Sequence, residues 1–119
     1  MMMQIVAASL LSEARVLAHP ASVDNVPTDG GKEDHVSMGM TGATKLRSIV
    51  DSAELITAIE LITAAEALEY RAPLQPGRGV KRAYDIVRKY VPRLTSDRAM
   101  SGEIETVAKA IREGVFDQV

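Results

Sequence analysis

The densest group of side chains capable of chemistry is the run Glu33-Asp34-His35, which follows Lys32 and a glycine pair. Two carboxylates beside an imidazole could transfer protons or bind a polar substrate. The same acids could instead stabilise a helix that begins here, because negative side chains favour the positive end of the helix dipole. The residues alone leave both interpretations open.

A metal site is a weaker interpretation of the same region. Its possible ligands would be His19, Asp24, Glu33 and His35. Neighbouring residues rarely bind one ion together, and neither His-x-x-x-His nor Glu-x-x-His spacing occurs. The stretch 30–32 also lacks the Ser or Thr that follows the lysine of a phosphate-binding loop. We therefore predict neither a metal site nor a phosphate-binding loop.

Composition narrows the class of protein. Hydrophobic residues make up 46% of the 119 residues but aromatic residues only 3%, so aliphatic side chains must fill the core, which favours closely packed helices. The net charge of −2 gives no reason to expect nucleic acid. No apolar run is long enough to span a membrane. The absence of cysteine excludes disulfides and fits the cytoplasm.

Hydrophobic periodicity and turn residues divide the chain into four segments. The predicted segments are a helix over 1–17, an irregular loop over 18–33, a long core helix over 34–71, and two short peripheral helices within 72–119. The first helix has no polar lead-in, so we expect the chain to be a fragment or a subunit that joins a partner. The sequence predicts an all-α fold.

The long helix is apolar around most of its circumference. Such a helix is buried on all sides, and so small a domain can hardly bury it alone. We therefore expect an oligomer or a larger parent protein. Glu54, Glu60 and Glu66 interrupt the apolar surface, and we expect them to pair with Arg or Lys of another chain. Asp34 and Ser101 are predicted to cap the long helix and the last helix.

The loop and its flanks resemble one known family. The matching runs are Val16-Leu-Ala-His-Pro-Ala-Ser-Val-Asp24, Pro27-Thr28 and Glu33-Asp-His-Val-Ser-Met-Gly39, followed by Ala58-Ile-Glu-Leu61, Ala67-Leu68, Tyr70-Arg71, Pro76-Gly77 and Val91-Pro92. This pattern is similar to the C-terminal part of the histidine ammonia-lyase family, which belongs to the aromatic amino acid ammonia-lyases. The resemblance covers essentially the whole chain.

The resemblance implies an all-helical homotetramer built around a long central helical bundle, of which this chain would supply roughly the last quarter of each subunit. It also implies removal of ammonia from L-histidine to give urocanate, at active sites where several subunits meet. The family's electrophile is a methylidene-imidazolone formed from an internal Ala-Ser-Gly triplet. That triplet is absent here, so we expect the cofactor on a missing N-terminal portion and no activity from this chain alone.

Glu33 matches the family's active-site glutamate, whereas relatives that act on phenylalanine or tyrosine tend to carry Gln. A carboxylate can accept a hydrogen bond from an imidazole N–H, which a phenyl ring cannot donate, and such a bond is worth about 1.5–3 kcal/mol. Glu33 therefore favours histidine as the substrate. Asp29-Gly30-Gly31-Lys32 stands where the histidine enzymes usually have Ser-Ala-Asn-Gln.

This departure makes Lys32 and Asp29 secondary candidates for substrate binding. Lys32 could pair with Glu33 or reach a substrate carboxylate. Two alternatives to the histidine enzyme follow. The chain could be part of a phenylalanine or tyrosine ammonia-lyase or an aminomutase, or it could be a non-catalytic helical oligomerisation module.

Overall fold

The computed structural model describes residues 2–117 and 119, and this part of the chain is helical. The four α-helices are α1 (Met2–Leu17), α2 (Gly39–Glu69), α3 (Arg78–Tyr90) and α4 (Ser101–Arg112). Two single 3-10 turns, Ala21–Val23 and Asp29–Gly31, lie between α1 and α2. No strand occurs among the described residues, where one isolated β-bridge joins Thr28 and Glu33. The prediction of an all-α fold is confirmed.

Helix α2 begins at Gly39, not at Asp34, so Asp34 does not cap it. The backbone N–H of Val36 is occupied by the side chain of Asn25, whose Oδ1 accepts it at 3.1 Å. Met38 then adopts a positive φ of 53°, which a right-handed helix cannot contain. The segment between Asp34 and Met38 is therefore held outside the helix by contacts from the loop.

The cap predicted for the last helix is also wrong. Ser101 is the first residue of α4, and Met100 precedes it without a side-chain hydrogen bond to the helix end. At its other end, α4 stops at Arg112 and Gly114 takes a φ of 73°. Glycine reaches this left-handed region without the steric cost that a side chain would impose.

The chain divides into two compact units, which we describe separately. The first unit comprises Met1–Ala7 and Glu54–Val119, and the second comprises Ala8–Ala53. The core of the first unit is aliphatic, and its buried members come from α2, from α3 and the residue that follows it, and from α4. They are Ala58, Ile59, Ile62, Ala65, Val87, Val91, Ile104, Val107 and Ala108.

Several large apolar side chains remain exposed on α1 and on α2. On α2, Leu46 is 59% exposed and Val50 is 47% exposed. On α1, Ile5, Leu11 and Val16 are exposed as well. Part of the apolar surface of α1 and α2 is therefore not covered by this chain. The expectation of an oligomer or a larger parent protein stays a prediction.

A mostly buried charge network joins α2 and α3 in the first unit. Nη2 of Arg88 lies 2.9 Å from Oε2 of Glu66 and 3.1 Å from Oε1 of Glu69, and it also donates to the carbonyl of Ala65 at 3.1 Å. The Tyr84 hydroxyl donates to Oε1 of Glu69 at 2.6 Å. The network supplies the partner that the buried carboxylate of Glu66 requires.

The expectation that Glu54 and Glu66 pair with another chain is therefore wrong. Glu66 pairs with Arg88, and Glu54 accepts from Nε of Arg112 at 2.9 Å, within the same unit. Glu60 is exposed. The partners come from α3 and from the end of α4, which pack beside α2 in the fold.

Glu69 should give the stability of the chain a specific pH dependence. The hydrogen bond from Tyr84, helped by Arg88 and Arg93 and opposed by desolvation, holds the pKa of Glu69 below its ordinary value. At pH values above about 4.3, the pKa of glutamate in the unfolded chain, this carboxylate therefore stabilises the fold. The contribution is lost as the pH falls through the lowered pKa that Glu69 has in the folded state. We expect Glu69→Gln to lower the urea midpoint at pH 7.

The difference from the wild-type chain should then shrink as the pH is lowered below about 4.3. The matched control is Glu60→Gln, which removes an exposed carboxylate from the same helix and should change the midpoint little at any pH. Urea unfolding of the three chains from pH 7 to pH 3 makes the comparison. A Glu69→Gln effect that does not diminish on acidification would contradict the role given to this carboxylate.

Candidate functional site

The candidate site is the loop between α1 and α2, which lies wholly in the second unit. The loop is irregular but not loose, because two nested sets of hydrogen bonds close it. The inner set joins Thr28 to Glu33, and the outer set joins Asn25 to residues 35 and 36. The predicted site residues Asp29, Lys32 and Glu33 all lie within the inner set.

The inner set is a tight hairpin. The backbone N–H of Thr28 donates to the carbonyl of Glu33 at 2.8 Å, and the N–H of Glu33 donates back to the carbonyl of Thr28 at 3.3 Å. The same Thr28 carbonyl also accepts from the N–H of Gly31 at 3.0 Å. Oγ1 of Thr28 donates to Oε2 of Glu33 at 2.8 Å, so both the backbone and the side chain of Glu33 are held.

Three successive residues in the turn have left-handed backbones. Their φ angles are 49° at Asp29, 63° at Gly30 and 87° at Gly31. Glycine adopts such angles freely, and Asp is among the few other residues that tolerate them. A Cβ placed at either glycine would meet nothing within 4 Å, so the backbone angle and not the available space requires glycine there.

The outer set depends on Asn25, a half-buried residue that lies outside the matching sequence runs. Its Oδ1 accepts from the N–H of Val36 at 3.1 Å, and its Nδ2 contacts Nδ1 of His35. Because Oδ1 accepts from Val36, the amide nitrogen of Asn25 faces the ring as the donor and Nδ1 of His35 is the acceptor. His35 therefore helps to close the loop.

Glu33 is exposed at the end of this hairpin. Thr28 occupies Oε2, and within residues 2–117 and 119 no side chain hydrogen-bonds Oε1. Lys32 and Asp29 are exposed too, and over the same described range no ion pair joins Lys32 to Glu33. The structure thus brings the three candidates into one turn, with Thr28 and not Lys32 as the partner of the carboxylate.

Another polar residue of the loop, His19, makes its contact outside the hairpin. His19 is exposed, and its carbonyl accepts from Nζ of Lys45 beside a cleft of about 190 Å³. In the part of the chain that the structure describes, no group of three or more His, Cys, Asp or Glu side chains could hold a metal ion. Among these residues there is also no helix with the length and hydropathy needed to cross a membrane.

The arrangement offers one anchored acceptor. An exposed carboxylate with one oxygen held by a neutral hydroxyl can accept a hydrogen bond from a ligand N–H or pair with a ligand cation through its other oxygen. Its fixed position would orient such a ligand.

Comparison with known proteins points to one family. Residues 1–89 match the family model for aromatic amino acid lyase. The chain is 52% identical to the histidine ammonia-lyase of Natranaerobius thermophilus and 48% identical to that of Myxococcus xanthus. Each alignment covers 96% of this chain and 22% of the relative. The chain therefore spans about a fifth of the length of the curated relatives it matches.

Solved structures give the same relationship. The histidine ammonia-lyase of Trypanosoma cruzi superimposes with a TM-score of 0.88 at 37% identity, over 94% of this chain and 22% of that one. The tyrosine aminomutase of Streptomyces globisporus gives 0.87 at 36% identity, over 97% and 22%. The backbone likeness is thus shared by proteins whose names specify different reactions.

Proposed function

This chain belongs to the aromatic amino acid lyase family, and from that membership we propose that it is the C-terminal part of a histidine ammonia-lyase. In this role it contributes Glu33 to an active site that other chain segments complete, and the product of the reaction is urocanate with release of ammonia. The observation that supports the proposal is the exposed carboxylate of Glu33, which Thr28 holds. The resemblance matches this residue to the family's active-site glutamate.

In the proposed reaction, this chain binds the substrate ring and another chain segment activates the amino group. The methylidene-imidazolone expected on the N-terminal portion would activate the amino group of the substrate. Glu33 would accept a hydrogen bond from the imidazole N–H and so orient the ring. The bond is stronger than one to a neutral acceptor because the carboxylate is charged. The substrate of the proposed enzyme is therefore L-histidine.

The proposed location is the cytoplasm, which the lack of cysteine fits.

The assembly follows the same proposal. An N-terminal lyase portion and further copies of the subunit would form a homotetrameric helical bundle that includes α2. The exposed apolar side chains of α1 and α2, among them Ile5, Leu11 and Leu46, provide surface for such contacts. The proposal thus accounts for apolar surface that this chain leaves open.

A second candidate function rests on the turn at 29–32. A lysine beside Glu33 departs from the histidine enzymes, and the exposed Lys32 could bind a substrate carboxylate or reduce the preference for an imidazole. A tyrosine or phenylalanine ammonia-lyase or an aminomutase is then the alternative. A panel of histidine, tyrosine and phenylalanine tested on the assembled enzyme separates the two, because a preference for the phenyl substrates would favour the alternative.

The proposed function is tested by complementation. The Natranaerobius thermophilus enzyme, truncated so that it lacks the region matched by this chain, is co-expressed with the chain, and urocanate is followed by its ultraviolet absorbance. We expect activity from the pair and none from either part alone. The relative's own C-terminal region, co-expressed in the same way, is the matched control. Activity with that control but none with this chain would overturn the proposal and favour a non-catalytic helical module.

A further inference from the structure

Thr28 is the residue most closely joined to Glu33. Its backbone N–H, its carbonyl and its hydroxyl each bond to Glu33, at 2.8, 3.3 and 2.8 Å respectively. Thr28 is half-buried whereas Glu33 is exposed. A partly buried residue thus holds the side chain of an exposed one.

An exposed glutamate is otherwise poorly suited to orient a ligand. Its side chain rotates about three bonds, and the freedom lost on binding opposes affinity. A hydroxyl that donates to one carboxylate oxygen removes much of this freedom before the ligand arrives. The backbone to which both residues belong is itself fixed, because the left-handed turn and Asn25 close the hairpin from both sides.

The chemical nature of the partner matters as well. A lysine or arginine on Oε2 would neutralise the carboxylate and weaken it as an acceptor for a ligand N–H. The hydroxyl of Thr28 is neutral, so the negative charge remains available at Oε1. Lys32 is adjacent in sequence, yet within the described residues it makes no ion pair with Glu33.

We propose that Thr28 is a positioning residue for Glu33. The hydroxyl of Thr28 holds Oε2 of Glu33, so that Oε1 of the same carboxylate faces the N–H of the substrate ring. This inference rests on the proposed function and deepens it, since it assigns substrate orientation to a second residue of the same site. Thr28 itself does not touch the reacting atoms.

The matched variants are Thr28→Val, which keeps the branched shape and loses the hydroxyl, and Thr28→Ser, which keeps the hydroxyl. In the assembled enzyme we expect Thr28→Val to lower kcat/KM for histidine about tenfold, the size expected for one hydrogen bond to a charged group. Thr28→Ser should stay within about twofold of wild type. Equal losses in the two variants would overturn the proposal.

A double-mutant cycle separates positioning from a structural role. If Thr28 acts through Glu33, Thr28→Val should cause no further loss once Glu33→Ala is present, because the group that it positions is gone. If Thr28 only supports the loop, the same fold-loss should appear with and without Glu33. Additive losses would therefore overturn the positioning role.

A readout in this chain distinguishes failure of this inference from failure of the proposed function. Three-bond NMR couplings should show one dominant χ1 rotamer for Glu33 in the wild type and in Thr28→Ser, and averaging in Thr28→Val. An inactive assembly would overturn the proposed function and, with it, the catalytic purpose of the contact. If the assembly is active but the wild-type Glu33 side chain already averages over several χ1 rotamers, the positioning role of Thr28 is overturned while the proposed function stands.

Discussion

Glu33→Ala should lower kcat/KM for histidine in the assembled enzyme by about tenfold to a hundredfold. That range corresponds to the loss of about 1.5–3 kcal/mol, the usual contribution of a hydrogen bond to a charged group. The carboxylate is exposed and held on Oε2 by Thr28, so Ala removes an acceptor that is already oriented. The measurement is steady-state formation of urocanate by the complemented enzyme.

Glu33→Gln tests the chemical basis of this loss. The amide keeps the volume and one acceptor oxygen but lacks the charge, so the loss for histidine should be smaller than with Ala. The ratio of kcat/KM for phenylalanine to that for histidine should rise, because a phenyl ring gains nothing from a carboxylate. Glu13→Ala, which removes an exposed carboxylate from α1 of the same unit, should stay within about twofold. Near-wild-type turnover in Glu33→Ala would contradict the role of Glu33.

The fold class and the family followed from local features of the sequence. Aliphatic composition and helical periodicity predicted the all-α fold, and the runs around Glu33 predicted the relationship to histidine ammonia-lyases, which the family match confirms. The start of α2 did not follow, because Asp34 has the residue type of a cap. What keeps the segment after Asp34 out of the helix is the side chain of Asn25, a contact between residues 11 positions apart.

The hairpin that presents Glu33 was partly visible in the sequence. Asp29-Gly30 is a dipeptide typical of tight turns, but the flanking residues lack the alternation of a strand, so the loop was predicted only as irregular. The Thr28 hydroxyl contact with Glu33 could not be predicted, because it depends on which way two side chains point across the turn. Motif matching therefore located the carboxylate, and the structure supplied the group that holds it.

The ion pairs of α2 illustrate a different limit. Periodicity placed Glu66 on a densely apolar part of the helix, which correctly indicated that it needs a partner. The choice of partner depended on how α3 packs, which periodicity within the long helix does not indicate. In the fold its side chain is only 14% exposed and lies against Glu66. Long-range packing decides this pairing, so the loss of Arg88 should lower stability markedly.

Arg88→Met should lower the free energy of unfolding of the chain by about 1.5–3 kcal/mol, the usual contribution of hydrogen bonds to a charged group, because the ion pair is mostly but not fully buried. Met keeps much of the aliphatic volume of the arginine, so the loss reports mainly on charge and hydrogen bonds. Without Arg88, the carboxylates of Glu66 and Glu69, 18% and 19% exposed, lose their nearest cation. Arg93 is a poor substitute, because it is 54% exposed and lies 3.8–3.9 Å away.

The pKa of Arg88 supports this assignment. Desolvation acts to lower it, but the hydrogen bond to Glu66 and the further contacts with Tyr84 and Glu69 outweigh that effect, so the pKa is raised.

The control for Arg88→Met is Arg82→Met on the exposed surface of the same helix, for which a change within about 0.5 kcal/mol is expected in urea unfolding. Adding Glu66→Gln to Arg88→Met should restore part of the loss, because it removes a buried charge that has lost its partner. If Arg88→Met were no more destabilising than Arg82→Met, the network would contribute little to stability, and the aliphatic core alone would hold α3 against α2.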